Sequence, residues 1–98
     1  MILIQSQRNM LDLEYAPRFV REYNKLESAL RKEVQEKIVL FKNLKNHRQL
    51  GVHPLHGRMN GRWSFSVNYR YRIVFQYIGK KKNHAALLMV GDHSIYDQ

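Results

Sequence analysis

The chain has 98 residues, 44% of them apolar and 11% aromatic, which suits one folded domain with a modest core and excludes a disordered basic tail. Seventeen Lys or Arg against eight Asp or Glu give a formal charge of +9, and the lack of cysteine excludes a disulfide framework or a thiolate metal site. No run of 18 apolar residues occurs and the Met1–Ile4 start is too short for a signal-peptide core, so a soluble cytoplasmic domain with no membrane partner is expected.

A single domain is expected over 1–98, with residues 1–9 as an extension that adds to a sheet edge or binds a partner. From Leu11, alternation of Leu11, Leu13 and Tyr15 with Asp12 and Glu14 predicts a half-buried strand. Pro17 suits the first turn of a helix, and Phe19, Tyr23 and Leu26 follow at helical spacing. Ser28 is the expected N-cap of a second helix, whose apolar stripe is Leu30, Val34, Ile38, Phe41 and Leu44. Glu33–Lys37 and Lys32–Glu36 are expected surface ion pairs, each worth about 0.3 kcal/mol. The two helices form an antiparallel hairpin joined around 26–28.

From Asn46 the helical period fails, and Gly51, Pro54, Gly57, Asn60 and Gly61 mark a loop or short irregular strand. The period then becomes two. Trp63, Phe65 and Val67 form one strand; after a turn near Asn68–Tyr69, Tyr71, Ile73, Phe75 and Tyr77 form the next. Residues 78–83 read as a turn, and Ala85–Val90 is a continuous apolar run suited to a buried strand. The expected fold is α+β: an N-terminal strand, then an antiparallel helix hairpin packed on one face of a mainly antiparallel sheet of about four strands.

The charge is concentrated in one window. From Lys37 to Gly91 there is no Asp or Glu, yet Lys37, Lys42, Lys45, Arg48, Arg58, Arg62, Arg70, Arg72, Lys80, Lys81 and Lys82 lie there, with four of the five histidines. A field of one sign opposes folding by self-repulsion, so it points to a polyanion, nucleic acid first. With the odd positions of the second long strand covered by helices, Arg70 and Arg72 project together from the open face. His53 and His56 precede that strand in the chain, and His93 follows the last one.

Such a set can cut RNA with neither metal nor cofactor. The ribose 2′-OH attacks the adjacent phosphate while one histidine takes its proton and another protonates the leaving 5′ oxygen. An arginine offers fixed bidentate charge to the phosphorane. Each residue also has a plainer account. His47 and His84 read as solvated side chains, Arg70 and Arg72 as the polar face of a sheet, and Tyr71, Phe75 and Tyr77 as core. Lys80–Lys82 reads as a solvated turn that discourages edge pairing. No HxH or HExxH spacing supports a metal site. On these residues alone, a nucleic-acid-binding domain without catalysis leads, with cleavage as the sharper alternative.

Residues from about Leu11 to Tyr96 resemble the RelE/ParE superfamily of toxins from type II toxin–antitoxin pairs. The resemblance lies in Leu13-Glu-Tyr-Ala-Pro-Arg-Phe19, His53-Pro-Leu-His-Gly57, Gly61-Arg-Trp-Ser-Phe-Ser-Val-Asn-Tyr-Arg-Tyr-Arg-Ile-Val-Phe75 and Val90-Gly-Asp-His-Ser-Ile-Tyr96. The HPLxG segment and the terminal histidine are similar to those of the YafQ, YoeB and HigB messenger RNA endonucleases. The gyrase-inhibiting ParE branch shares the fold but generally lacks that acid–base set.

The resemblance implies a ribosome-dependent messenger RNA endonuclease that leaves a cyclic phosphate, inhibits translation and is silenced by a cognate antitoxin. Operator DNA would be met only through the antitoxin. It implies His53 as general base, Arg72 as transition-state stabiliser, His93 as general acid and Tyr96 as the aromatic that positions or stacks a base. His56 falls at a phosphate-contacting position. Arg58, Arg62, Arg70, Lys42 and Lys45 are the further expected contacts to messenger or ribosomal RNA. Two departures bear on activity and target: Ser66 stands where several relatives carry arginine, and Ser94 where they often carry Asp. A ParE-like gyrase inhibitor and a non-catalytic nucleic-acid-binding domain remain the alternatives.

Overall fold

The computed structural model describes residues 10–97, so the reading of residues 1–9 as an extension lies outside the described residues. The elements are β1 (Asp12–Tyr15), α1 (Pro17–Asn24), α2 (Ser28–Phe41), β2 (His53–Pro54), β3 (Trp63–Ser66), β4 (Arg72–Tyr77) and β5 (His84–Gly91). Short 3₁₀ turns span Leu44–Asn46, Gly57–Met59 and His93–Asp97. The sheet order is β1-β5-β4-β3-β2, with β1 parallel to β5 and every other pair antiparallel. The α+β expectation holds, but the sheet has five strands rather than about four. The added one, β2, is two residues long and contains Pro54, which suits an edge but is too short to show a period.

Helix boundaries shift by small, explicable amounts. Pro17 opens α1 as expected, while Leu26 lies in the connection beyond Asn24 and still packs on the core. The N-cap of α2 is Glu27, not Ser28, and no side chain caps it. Leu44 falls outside α2 and is 37% exposed, because Asn43 Oδ1 accepts from the Lys45 amide at 3.0 Å and turns the chain into 3₁₀ geometry. Glu33 and Lys37 pair at 4.0 Å; Lys32 and Glu36 are not among the ion pairs of the described residues.

The helices cover the face expected of them. Tyr71, Ile73, Phe75 and Tyr77 all point to the helix layer, with Phe65, Ala85, Leu87 and Val90 beside them. Phe41 is the hub: its ring lies 4.2 Å from that of Phe65 and 4.7 Å from that of Phe75. Such aromatic contacts add to plain area burial and favour a single packing arrangement. His47 stacks on Phe41 at 4.8 Å, and its Nε2 donates to the Phe41 carbonyl at 2.7 Å. His84 lies 2.9 Å from the Glu14 carboxylate of β1. Both histidines therefore act in the fold, where the sequence had them as free in solvent.

A bulge organises the far face. Val74 pairs with Met89 but Phe75 pairs with Leu87, so Leu88 is the extra residue. Leu87 and Val90 can then both face the helices while Met89 faces the other way, which a continuous apolar run alone does not reveal. The Val90 amide donates to Glu22 Oε1 of α1 at 3.1 Å, tying the bulged strand to the helix layer. On the far face Val74 and Met89 join Met59 and Ile95 in a second small core. That face is therefore not wholly open: the turns Gly57–Met59 and His93–Asp97 fold over part of it, because two apolar strand residues there need cover. No helix among the described residues is long and apolar enough to cross a membrane.

Candidate active site

Sheet register assembles the far face row by row. His53 of β2 stands opposite Ser64 of β3, Ser64 opposite Val74, and Val74 opposite Met89. The next row is Ser66, Arg72 and Gly91. Residues directly opposite across a ladder share a face, so His53 and Arg72 stand on one surface although 19 positions separate them in the chain.

The C-terminal turn completes this surface. Ser64, fully buried, has its Oγ 2.7 Å from the Tyr96 hydroxyl. The rings of Tyr96 and His93 meet edge to face with centroids 5.9 Å apart. Tyr96 thus bridges the His53 row and His93, which is exposed to solvent. Beside them a concavity of about 600 Å³ is lined by Arg70, Asp92, His93, Ser94 and Tyr96. Gly91 permits the close pass of the turn, since a Cβ there would lie 2.4 Å from Ile95 Cγ2.

Hydrogen bonds set how the site groups present themselves. His53 Nδ1 lies 2.7 Å from the Gly51 carbonyl, which only accepts. Nδ1 therefore carries the proton, and in the neutral ring Nε2 keeps its lone pair. Arg72 Nη1 donates to the carbonyls of Asn68 and, at 3.0 Å, Tyr71. Its guanidinium is turned toward the β3–β4 turn rather than standing free, a departure from the paired projection expected for Arg70 and Arg72. Arg70 itself belongs to the turn and lies 5.7 Å from the Tyr71 ring centroid. Asp92 accepts from the Ser94 hydroxyl at 2.6 Å and the Ser94 amide at 2.9 Å. These two bonds, helped by the nearby positive charge of Arg70 and His93, hold its carboxyl below the usual carboxylate range. Ser94, a departure in the sequence comparison, is here the residue that closes the turn.

The remaining expected contacts divide. His56, Arg58 and Arg62 lie on the β2–β3 connection, whose Met59 packs on the far-face core; Arg62 Nη1 also approaches Met59 Sδ at 3.5 Å. They flank the His53 row. Lys42 and Lys45 lie elsewhere, at the end of α2 and in the turn after it. Lys42 edges an apolar groove of about 340 Å³ on the helix hairpin, lined by Tyr15, Phe19, Val20, Tyr23 and Val39. Among the described residues no cluster of three metal-ligating side chains occurs.

At the level of sequence, no family model matches the chain and no curated protein is matched. Solved structures do match. YafQ from E. coli superposes with a TM-score of 0.71 at 14% identity, covering 90% of this chain and 99% of that one. A YoeB/ParE toxin from Agrobacterium tumefaciens gives 0.60 at 16% identity over 85% and 99% of the two chains. The E. coli DinJ–YafQ toxin–antitoxin complex gives 0.64 at 15% identity over 88% and 96%. The chain has the RelE/ParE toxin fold. Within the RelE/ParE fold of this chain, register places His53 and Arg72 on the sheet face away from the helix hairpin, with His93 on the turn that folds over it, while Arg70 lies in the β3–β4 turn and also borders the helices. Three residues of that neighbourhood were not singled out as site residues from the sequence. Ser64 was legible as an even position in the alternation, Asn68 as a turn former, and Asp92 as the acid two residues before Ser94.

Proposed function

We propose that the chain is the toxin of a type II toxin–antitoxin pair and that it cuts messenger RNA on the ribosome. The observation that supports this reading is the chain of neighbours from the His53 row to His93, 40 positions further along the chain: Ser64 stands opposite His53, its Oγ lies 2.7 Å from the Tyr96 hydroxyl, and the Tyr96 ring meets that of His93. His53 Nε2 takes the proton of the ribose 2′-OH. The 2′ oxygen bonds to phosphorus, the bond from phosphorus to the 5′ oxygen breaks, and His93 protonates that oxygen. The products are a 2′,3′-cyclic phosphate and a 5′-hydroxyl, and no metal takes part. Arg72, with Arg70 nearby, stabilises the charge gathering on the phosphoryl oxygens. Tyr96 positions the base next to the scissile bond, while His56, Arg58 and Arg62 hold the phosphates alongside. Lys42 and Lys45, remote from this surface, serve docking on ribosomal RNA.

An antitoxin is the proposed inhibitory partner in the cytoplasm. The exposed apolar side chains Val20 and Val39 of the hairpin, with Tyr15 at the end of β1, support such a partner, as single-sided apolar grooves do. Expression without the antitoxin is expected to arrest growth and truncate messages. A DNA-damage response with intact messages would point to gyrase inhibition, and neither effect would leave a non-catalytic binding domain.

A further inference from the structure

Both arginines of the site depend on one residue, Asn68. Its Oδ1 accepts from the Arg70 amide at 2.9 Å and from the Tyr71 amide at 2.7 Å. Its main-chain carbonyl accepts from Arg72 Nη1. Its Nδ2 donates to Glu33 Oε1 of α2 at 2.8 Å, across 35 positions of sequence. The amide orientation follows from chemistry, since two N–H groups face one end and a carboxylate faces the other. One helical turn on, Lys37 donates to the Val67 carbonyl at 2.9 Å and lies 4.0 Å from the Glu33 carboxylate. Two side chains of α2 thus grip the turn from which Arg70 and Arg72 are presented.

The consequence for Arg72 is directional. A guanidinium has five N–H donors in a rigid fork. Nη1 donates to the Asn68 and Tyr71 carbonyls. The Nε–Nη2 edge is left without a protein partner among the described residues, and that edge matches the two oxygens of a phosphate.

We propose that Asn68, anchored by Glu33, is a positioning residue that sets the backbone of Arg70 and aims the Nε–Nη2 edge of Arg72 at the scissile phosphate. This rests on the nuclease reading above. Asn68 touches no substrate; it acts through the two arginines. Because a reacting group misplaced by about 1 Å can cost on the order of a hundredfold in rate, loosening this turn should slow the chemical step more than it weakens binding.

The test uses Asn68→Ala and the exchange of roles Glu33→Gln/Asn68→Asp, in which the Gln amide donates to an Asp that still accepts from the two turn amides. Single-turnover cleavage of a message on a programmed ribosome is measured with ribosome affinity, alongside hydrogen exchange of the Arg70 and Tyr71 amides. Tyr69, 90% exposed, is the reference. Asn68→Ala is expected to lower the rate about 10- to 100-fold, with a smaller change in affinity. The double variant is expected to regain both rate and amide protection. Wild-type cleavage by Asn68→Ala, or a double variant no better than it, overturns the proposal. Should the wild-type protein cut no message, the nuclease reading falls, and exchange alone decides the role of Asn68. Protection lost in Asn68→Ala and regained in the double variant supports it, and equal exchange in the wild type and Asn68→Ala overturns it.

Discussion

The Tyr96 hydroxyl lies 2.7 Å from Ser64 Oγ, joining the C-terminal turn to the central part of the sheet across 32 positions of sequence. Ser64 is the one fully buried polar residue among those described. Its hydroxyl therefore needs this partner, and the turn bearing His93 is fastened by the same bond.

The two halves of that bond should differ in cost when removed. Tyr96→Phe leaves a buried hydroxyl unpaired, at about 1–3 kcal/mol. Ser64→Ala leaves the unpaired hydroxyl on Tyr96, which as a residue is only partly buried, so it should cost less. Urea denaturation of both single variants and the double is the check. The double variant should cost less than the sum of the singles; strict additivity would show that the bond contributes nothing.

Gly91→Ala should displace the C-terminal turn. The new methyl would fall 2.4 Å from Ile95 Cγ2, far inside contact distance, so Ile95 and the following Tyr96 must move. Overpacking of this kind costs about 1–3 kcal/mol. Because β5 can hold its register without the turn, the sheet should survive while the aromatic signals of His93 and Tyr96 shift in NMR spectra. Unchanged spectra would contradict the close approach.

The turn should also answer to pH. Asp92 titrates below the ordinary carboxylate range, chiefly because the Ser94 hydroxyl and amide bond to its ionised form. A depressed carboxylate contributes stability above its unfolded value, near pH 4, and loses that contribution as pH falls through the folded value. Acidification below about pH 4 should therefore loosen His93–Asp97. An NMR titration of Ser94→Ala should find Asp92 moved up toward the ordinary range. An unmoved Asp92 would show that Ser94 is not the cause.

The residues explain how far the sequence could be read. Alternation through Trp63, Phe65 and Val67 and through Tyr71 to Tyr77 was visible because the helices cover one sheet face, so burial imposes a period of two. His53, Arg72, His93 and Tyr96 stood out by chemical type and by resemblance. The second core was hidden, because the bulge at Leu88 breaks the period just where Met89 turns away from the helices. Strand β2 was legible only as a loop or short irregular strand, since two residues show no period, and the parallel pairing of β1 with β5 was hidden by its reach across the chain. The direction of Arg72 could not be read at all. It depends on the Asn68 carbonyl, and main-chain oxygens leave no mark in a sequence.

The most direct measurement is the mapping of message cleavage on a programmed ribosome, with the wild-type protein beside folded His53→Gln, Arg72→Ala and His93→Gln variants. The account predicts cuts ending in a cyclic phosphate from the wild type. Loss of either histidine should slow them by about 10²- to 10⁴-fold, and loss of Arg72 by about 10²- to 10³-fold, as for a removed transition-state contact. Intact messages with the wild type, or variants that cut at its rate, would contradict it.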